Sequence, residues 1–336
     1  IKEVINYPDS LYGWYPYAIK TVEDVLQKER FDAVISSSPP VTSHLIAQYL
    51  CEKHEIPWVA DFRDLWTQDH YRSYSMFRNI IERRLEKSTM KKAGALVTVS
   101  EPLVEKLKSL HGNEDVFSVP NGFDPMLWRD NIDNLTEKFS ITYTGTIYEG
   151  KRDPTPLFEA LVQLINSQRV ARERIEVRFY GPQDMGNWLR VRVAKLKLED
   201  IVKYYGVVSR QEALLRQRES QMLLLLNWND PEEKGVYTGK VFEYLCAQRP
   251  ILALGSVGGV VQELLAETKA GISVSSQSEL EEVVLAGYQE YFASGRTTYS
   301  GCKKEIMKYS HREMALKFSR ILDMVSSAPA KLLNIT

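Results

Sequence analysis

Short apolar runs of strand length alternate with helical patterns along most of this 336-residue chain, and that alternation is the strongest constraint on its fold. Strands are read at 32–36, 58–61, 95–99 and 116–119, with helices at 41–53, 77–92 and 102–110 between them. A polar stretch rich in Asn and Asp at 121–138 reads as a crossover. The alternation then resumes, with strands at 140–144, 176–180, 202–205, 222–226, 251–254 and 271–274. Helices are read at 156–165, 188–198, 210–217, 260–267, 279–294 and 312–325. Apolar strands separated by helices indicate parallel sheets covered on both faces. The expected fold class is α/β, with two doubly wound domains at 1–130 and 131–310 facing a cleft. A last helix at 311–336 is expected to pack back toward the first domain. In such sheets ligands sit beyond the carboxyl ends of the strands, so the strand ends are where function is sought.

Composition narrows the classes of partner. Hydrophobic residues make up 44% and charged residues 26%, ordinary for a globular chain. No apolar run approaches the roughly 20 residues that cross a bilayer as a helix. Basic and acidic residues number 43 and 44, so overall charge gives no argument for nucleic acid. Cys51, Cys246 and Cys302 are widely spaced and read as free thiols in a reducing, cytoplasmic setting. His44, His54, His70, His111 and His311 show no metal-ligand spacing, and no metal or other cofactor is predicted.

Four stretches carry candidate chemistry. In 234–254, KGVYTGKVFEYLCAQRPILAL, Val241, Tyr244 and Leu245 share a helical face, and Pro250 ends the helix before a short buried strand. Glu243 is a lone carboxylate in that apolar unit, costly to bury unless hydrogen-bonded, and sugar hydroxyls are suitable donors to it. The strand at 141–144 ends in Gly145-Thr146, followed by Lys151, Arg152 and a helix after Pro154. Backbone amides, a helix dipole and two cations there suit a diphosphate, and a solvated basic turn is the other reading. Gly181, Gly206 and Val207 mark two further strand ends where a nucleobase can lie, with Ser209 as the N-cap of the helix opened by Arg210. In PWVADFRDLW, Asp61, Arg63 and Asp64 form either an acceptor-binding cluster or an internal ion-pair network. Finally, 72–92 carries seven basic and two acidic residues, with Phe77, Ile81 and Leu85 on one helical face. It reads either as a surface for anionic membrane or as a domain helix with an apolar core face.

Together the segments SSSPPVTSHL, PWVADFRDLW, VPNGFD, YTGTIYEGKRDPTPLFEAL and KGVYTGKVFEYLCAQRPILALG resemble glycosyltransferase family 4, over about 7–325. These are retaining, nucleotide-sugar-dependent enzymes whose two Rossmann-like domains form the GT-B fold; bacterial members that build cell-surface polysaccharides are most similar. The resemblance implies an acceptor on the N-terminal domain, a donor on the C-terminal domain and no metal requirement. It assigns Lys151 to the donor diphosphate, with Arg152 substituting for an arginine that the family has where Thr146 stands. Glu243 matches the second acid of the family's E-x7-E motif, which binds ribose. The first acid would fall at Gly235 and is absent, leaving the backbone of Val236, Tyr237, Thr238 and Gly239, together with Lys240, to contact the donor sugar. Arg63-Asp64 stands where many members have His-Asp beside the reacting sugar. The family's front strand and glycine-rich loop are not legible in 1–30 and are expected to precede this numbering. The implied activity is hexosyl transfer from a nucleotide sugar to a sugar, glycolipid or polyprenyl-diphosphate-linked acceptor, in the cytoplasm or on the inner face of the membrane. A sugar-nucleotide 2-epimerase and a catalytically silent GT-B partner subunit remain alternatives.

Overall fold

The computed structural model describes residues 6–71, 74–129, 134–148, 150–255 and 258–327, with only the backbone of 183–185. The chain divides into two compact units, Ile1–Pro120 with Met314–Thr336, and Asn121–Glu313.

The first unit holds β1 (Val34–Ser38), β2 (Trp58–Phe62), β3 (Ala95–Thr98) and β4 (Val116–Ser118), hydrogen-bonded in that order and all parallel. The helices are α1 (Tyr15–Leu26), α2 (Thr42–His54), α3 (Met76–Met90) and α4 (Glu101–His111). Every residue of β2 is buried, as expected for a strand covered on both faces.

Helix α3 reverses the expectation drawn from its sequence. Its inward face is Arg78, Glu82 and Glu86, one turn apart, while Met76 is 82% and Phe77 74% exposed. Ile81 and Leu85 are only partly buried. The inward charges are matched by partners on other segments, although Glu86 Oε1 makes no hydrogen bond among the described residues. Arg78 bonds Glu82 at 3.0 Å and the carbonyls of Asn6 and Pro8, and Trp66 donates to Glu82 at 2.7 Å. Glu86 accepts from the Thr67 amide at 3.1 Å and faces His111 at 3.4 Å. Periodicity located the helix but not which side faces in, because a matched set of buried partners outweighs the apolar stripe.

The second unit is a six-stranded parallel sheet made of β5 (Phe139–Thr144), β6 (Ile175–Tyr180), β7 (Val202–Gly206), β8 (Met222–Leu226), β9 (Ile251–Leu254) and β10 (Gly271–Val274). Its helices are α5 (Thr155–Asn166), α6 (Gln183–Lys195), α7 (Arg210–Arg218), α8 (Lys240–Ala247), α9 (Val260–Thr268), α10 (Gln277–Ser294) and α11 (Lys303–Met307). The last helix, α12 (His311–Ser327), carries the chain on into the first unit, where Ile321 and Val325 pack on Val59, Ala95 and Val97. Strand β8 shows why the second sheet is buried twice over. Met222, Leu224 and Leu226 join one core with Phe139 and Phe179, and Leu223 and Leu225 join another with Val241 and Leu245.

The strand order is β10-β9-β8-β5-β6-β7. The chain runs outward from β5 through β7, then returns to the other side of β5 and runs outward again, so order reverses between β5 and β8. In doubly wound sheets that reversal is where a ligand crevice opens. Pairing between β5 and β8 covers only Ile141 with Met222 and Thr142 with Leu223. Past it, the Thr144 amide donates to the hydroxyl of fully buried Tyr244 in α8 at 3.0 Å, and Gln217 donates to the Thr144 hydroxyl at 2.8 Å. The same face of β5 carries Ser140 and Thr142, which bond the Gln221 amide and the Ser220 hydroxyl.

Replacing Tyr244 with Phe removes the hydroxyl that accepts from the Thr144 amide. We expect a loss of about 1–3 kcal/mol in chemical denaturation, with the denaturant slope unchanged.

Candidate functional site at the strand-order reversal

The segments that follow β5 and β8 supply the site. After β5 the chain passes through Gly145, Thr146 and Tyr148 to Lys151 and Arg152; after β8 it passes through Trp228 and the tight turn Pro231–Gly235 into α8. The Lys151 ammonium lies 4.4 Å from the Trp228 ring centroid. The stem of Lys240 crosses Gly145, and its ammonium lies 5.3 Å from the Tyr143 ring. Gly145 has φ +116°, and a Cβ there would meet Lys240 Cε at 2.2 Å, so the crossing requires glycine.

Arg152 is buried, its guanidinium 4.9 Å from the Tyr148 ring and 4.0 Å from Glu233 Oε1. Its Nε is buried and has no hydrogen-bond partner among the described residues. Glu233, 3% exposed, is the acid facing this cluster from within. Burial, then the positive charge of Arg152, push the Lys240 ammonium down to about 8, with Glu243 acting in the opposite sense. Three cations therefore collect at one strand-order reversal, one of them strongly desolvated. That suits a multivalent anion.

The backbone contributes less than glycines at strand ends suggested. The Gly145 amide donates to the Tyr180 carbonyl, that of Gly181 to Gly206 and that of Val236 to Glu233, so these three are not open to an anion. Thr146 turns its carbonyl to the Tyr143 hydroxyl at 2.6 Å. The helix after Pro154 is also capped already: Asp153 accepts from the Thr155 amide at 2.9 Å and from its hydroxyl at 2.5 Å, placing a carboxylate where a phosphate was expected. The open helix start is that of α8, where Gly239 is the N-cap and no side chain caps it. Thr238 is buried there, and Tyr237 packs on Phe242 at 5.5 Å.

Glu243 also departs from its reading. Its side chain is 37% exposed rather than enclosed, and it faces Arg210 Nε at 3.9 Å. The apolar residues around it in sequence turn inward while Glu243, in the first turn of α8, turns out. Arg210 opens α7 behind Ser209, whose hydroxyl accepts from the Glu212 amide at 3.1 Å, as expected for an N-cap. Val207, in the loop before α7, is 76% exposed.

In the first unit, Arg63 is held at the end of β2. It donates to Asp61 through Nε at 2.8 Å and to the Val119 carbonyl at 2.9 Å, while Ser37 donates to the other oxygen of Asp61. Burial raises the Asp61 carboxyl above its ordinary range, and Arg63 opposes that. The Asp61–Arg63 half of the cluster is thus a buried ion pair that braces the strand end, and Asp64 beside it is exposed. The sequence reading missed Glu233, Trp228, Tyr148 and Arg210 as partners of the site. Position beyond strand ends was the available signal for Trp228 and Tyr148; none pointed to Glu233.

The fold is that of the GT-B glycosyltransferases. It superposes on sucrose-phosphate synthase from Thermosynechococcus elongatus with a TM-score of 0.65 at 15% identity, covering 95% of this chain and 80% of that one. A glycosyltransferase from Rickettsia africae ESF-5 gives 0.66 at 16% identity, covering 94% and 82%. Anabaena HepE, solved in complex with UDP, gives 0.65 at 14%, covering 92% and 82%. Residues 1–127 match the family model Glycosyltransferase Family 4. Among curated proteins, none matches the chain.

Lys240 gives a pH signature. Its folded value of about 8 lies below the ordinary 10.5, so between them the unfolded chain holds more protons and stability rises with pH. An anion binds the protonated form and draws a proton in. Calorimetry with sulfate, which does not titrate near pH 8, in buffers of differing ionisation enthalpy should show proton uptake in the wild type and none in Lys240→Met.

Proposed function

We propose that the chain is a glycosyltransferase that binds a nucleoside-diphosphate sugar in its second unit and transfers a hexosyl group, with retention of configuration, to an acceptor used in surface polysaccharide or glycolipid synthesis. The observation that carries this reading is the convergence of Lys151, Arg152 and Lys240 where the strand order reverses, near the buried acid Glu233. The HepE structures in complex with UDP and with UDP-glucose lend it support through a shared fold.

In this reading the lysines hold the donor diphosphate and stabilise the charge that grows on it as the glycosidic bond breaks. Their charge is the counterion, so no metal is invoked. Arg152, fixed against Glu233 and Tyr148, contributes a positive field from behind. Ribose hydroxyls donate to Glu243 in place of its long contact with Arg210. The exposed Val207 flanks the base, and the open start of α8 at Thr238, Gly239 and Lys240 faces the sugar. Asp64 is the proposed acceptor-side carboxylate, with Arg63 as its structural support. The acceptor oxygen attacks the face that the diphosphate leaves, and a departing phosphate oxygen takes its proton.

Thermal-shift and calorimetric titration with UDP, GDP and dTDP and their sugars tests donor binding. A ligand at 100 times its Kd stabilises by about 2.7 kcal/mol. For turnover, Lys151→Ala should lower kcat/KM by about 100-fold or more while the fold is kept. A normal rate in that variant would sink the proposed clamp. Conversion of donor without any acceptor would favour the 2-epimerase, and binding without turnover of any donor and acceptor would favour a silent partner subunit.

A further inference from the structure

Helix α3 sits in its unit with its polarity inverted. Its buried positions include both of its acids, Glu82 and Glu86, together with Arg78. The charges left outside are Arg83, Arg84, Lys87 and, just past its end, Lys91 and Lys92, all basic. Lys92 has Glu52 at 3.9 Å. At the other end Met76 is 82%, Phe77 74% and Ile80 47% exposed. At 100° per residue, Met76, Ile80, Phe77, Arg83, Arg84, Lys87 and Lys91 all fall within one outward arc. That arc is apolar over its first turn and cationic over the rest. A solvated helix face does not gather its largest apolar side chains at one end, and a core face does not point outward.

A second feature accompanies it. Arg78 is tied to the carbonyls of Asn6 and Pro8, and the chain leads from there to Leu11, Tyr12 and Trp14, which are 54%, 46% and 45% exposed. Tyr and Trp are side chains favoured at a bilayer's headgroup level.

We propose that the outward arc of α3 docks on an anionic lipid surface. Met76, Phe77 and Ile80 enter the headgroup boundary, and Arg83, Arg84, Lys87 and Lys91 lie against lipid phosphates. The inward ladder makes this possible: with Glu82 and Glu86 held by Arg78, Trp66 and Thr67, the helix presents no acid to repel the surface. No described helix is long and apolar enough to cross a membrane. The contact is therefore interfacial, strengthened by apolar burial and weakened by salt. The proposal stands apart from the nucleotide site, since none of its residues lies in the second unit.

The test is co-sedimentation with vesicles of equal parts phosphatidylglycerol and phosphatidylcholine, against vesicles of phosphatidylcholine alone. The expected result is binding to the first only, lost on raising salt. Arg83→Glu/Arg84→Glu/Lys87→Glu should abolish it, and Met76→Ser/Phe77→Ser/Ile80→Ser should weaken it by roughly tenfold or more. Every substituted position is exposed, and circular dichroism with an unchanged melting temperature verifies that each variant is folded. If the wild type fails to sediment with the anionic vesicles, or sediments equally with both, the proposal fails. It also fails if the apolar variant binds vesicles normally but shifts from dimer to monomer in light scattering, which would make a second copy the occupant.

Discussion

The second unit depends on what happens to one amide. Where β5 and β8 part, the Thr144 N–H loses its strand partner while still buried, and an unpaired amide in that position is costly. The Tyr244 hydroxyl takes it at 3.0 Å, and burial pushes that phenol up to about 12, so it stays a neutral hydroxyl across the physiological range. This one bond allows two parallel strands to separate without breaking the backbone account, and separation is what makes room for side chains between them. It also fixes the register of α8 against β5. Lys240 lies one turn before Tyr244 on that helix, so the same bond holds its stem over Gly145.

Charge compensation then separates the parts of the molecule that hold the fold from the part suited to a ligand. Arg78 with Glu82 is a buried pair and Arg63 with Asp61 a part-buried one, each matched at hydrogen-bond distance. Pairs of that kind contribute modestly to net stability, but removing either partner is costly, so they serve as braces. Arg152 is different. Its acid is at 4.0 Å, its Nε is unpartnered among the described residues, and its charge bears on a desolvated lysine. Cations brought together in a half-dry corner repel one another, and an anion placed among them would offset that.

Much of this was legible from the sequence, and the limits have physical reasons. Strands Met222–Leu226 and Ile251–Leu254 were read to the residue, because a strand buried on both faces needs an unbroken apolar run and little else does. Helix α3 was placed within a residue or two at each end, but which of its faces turns inward was left open between two readings. Its inward face is chosen by Trp66, Thr67 and His111, which lie on other segments and leave no mark on the helix's own periodicity. For the site, the nomination of Lys151, Arg152 and Lys240 rested on strand ends and a family resemblance, and the structure gathers all three. The backbone at Gly145 was offered to an anion because a glycine at a strand end looks open in one dimension, and that of Val236 through the family resemblance. Where each amide points is set by neighbouring strands and turns, which a sequence does not order.

Glu243 shows how such a misreading can still bear on function. A fully enclosed carboxylate would need standing hydrogen bonds, and a ligand would have to displace them or arrive to find the group protonated. At 37% exposure, with Arg210 at 3.9 Å, it stays hydrated and is only loosely paired. Exposed pairs at that distance are worth little, so a vicinal diol can replace water and the guanidinium at small cost. The apolar neighbours that suggested burial are buried themselves: Val241, Tyr244 and Leu245 anchor α8 to the core and leave Glu243 on its outer side, close enough to bear on Lys240. A rigid helix with one accessible acid beside a desolvated cation is thus a surface matched to a ligand with hydroxyls at one end and phosphates at the other.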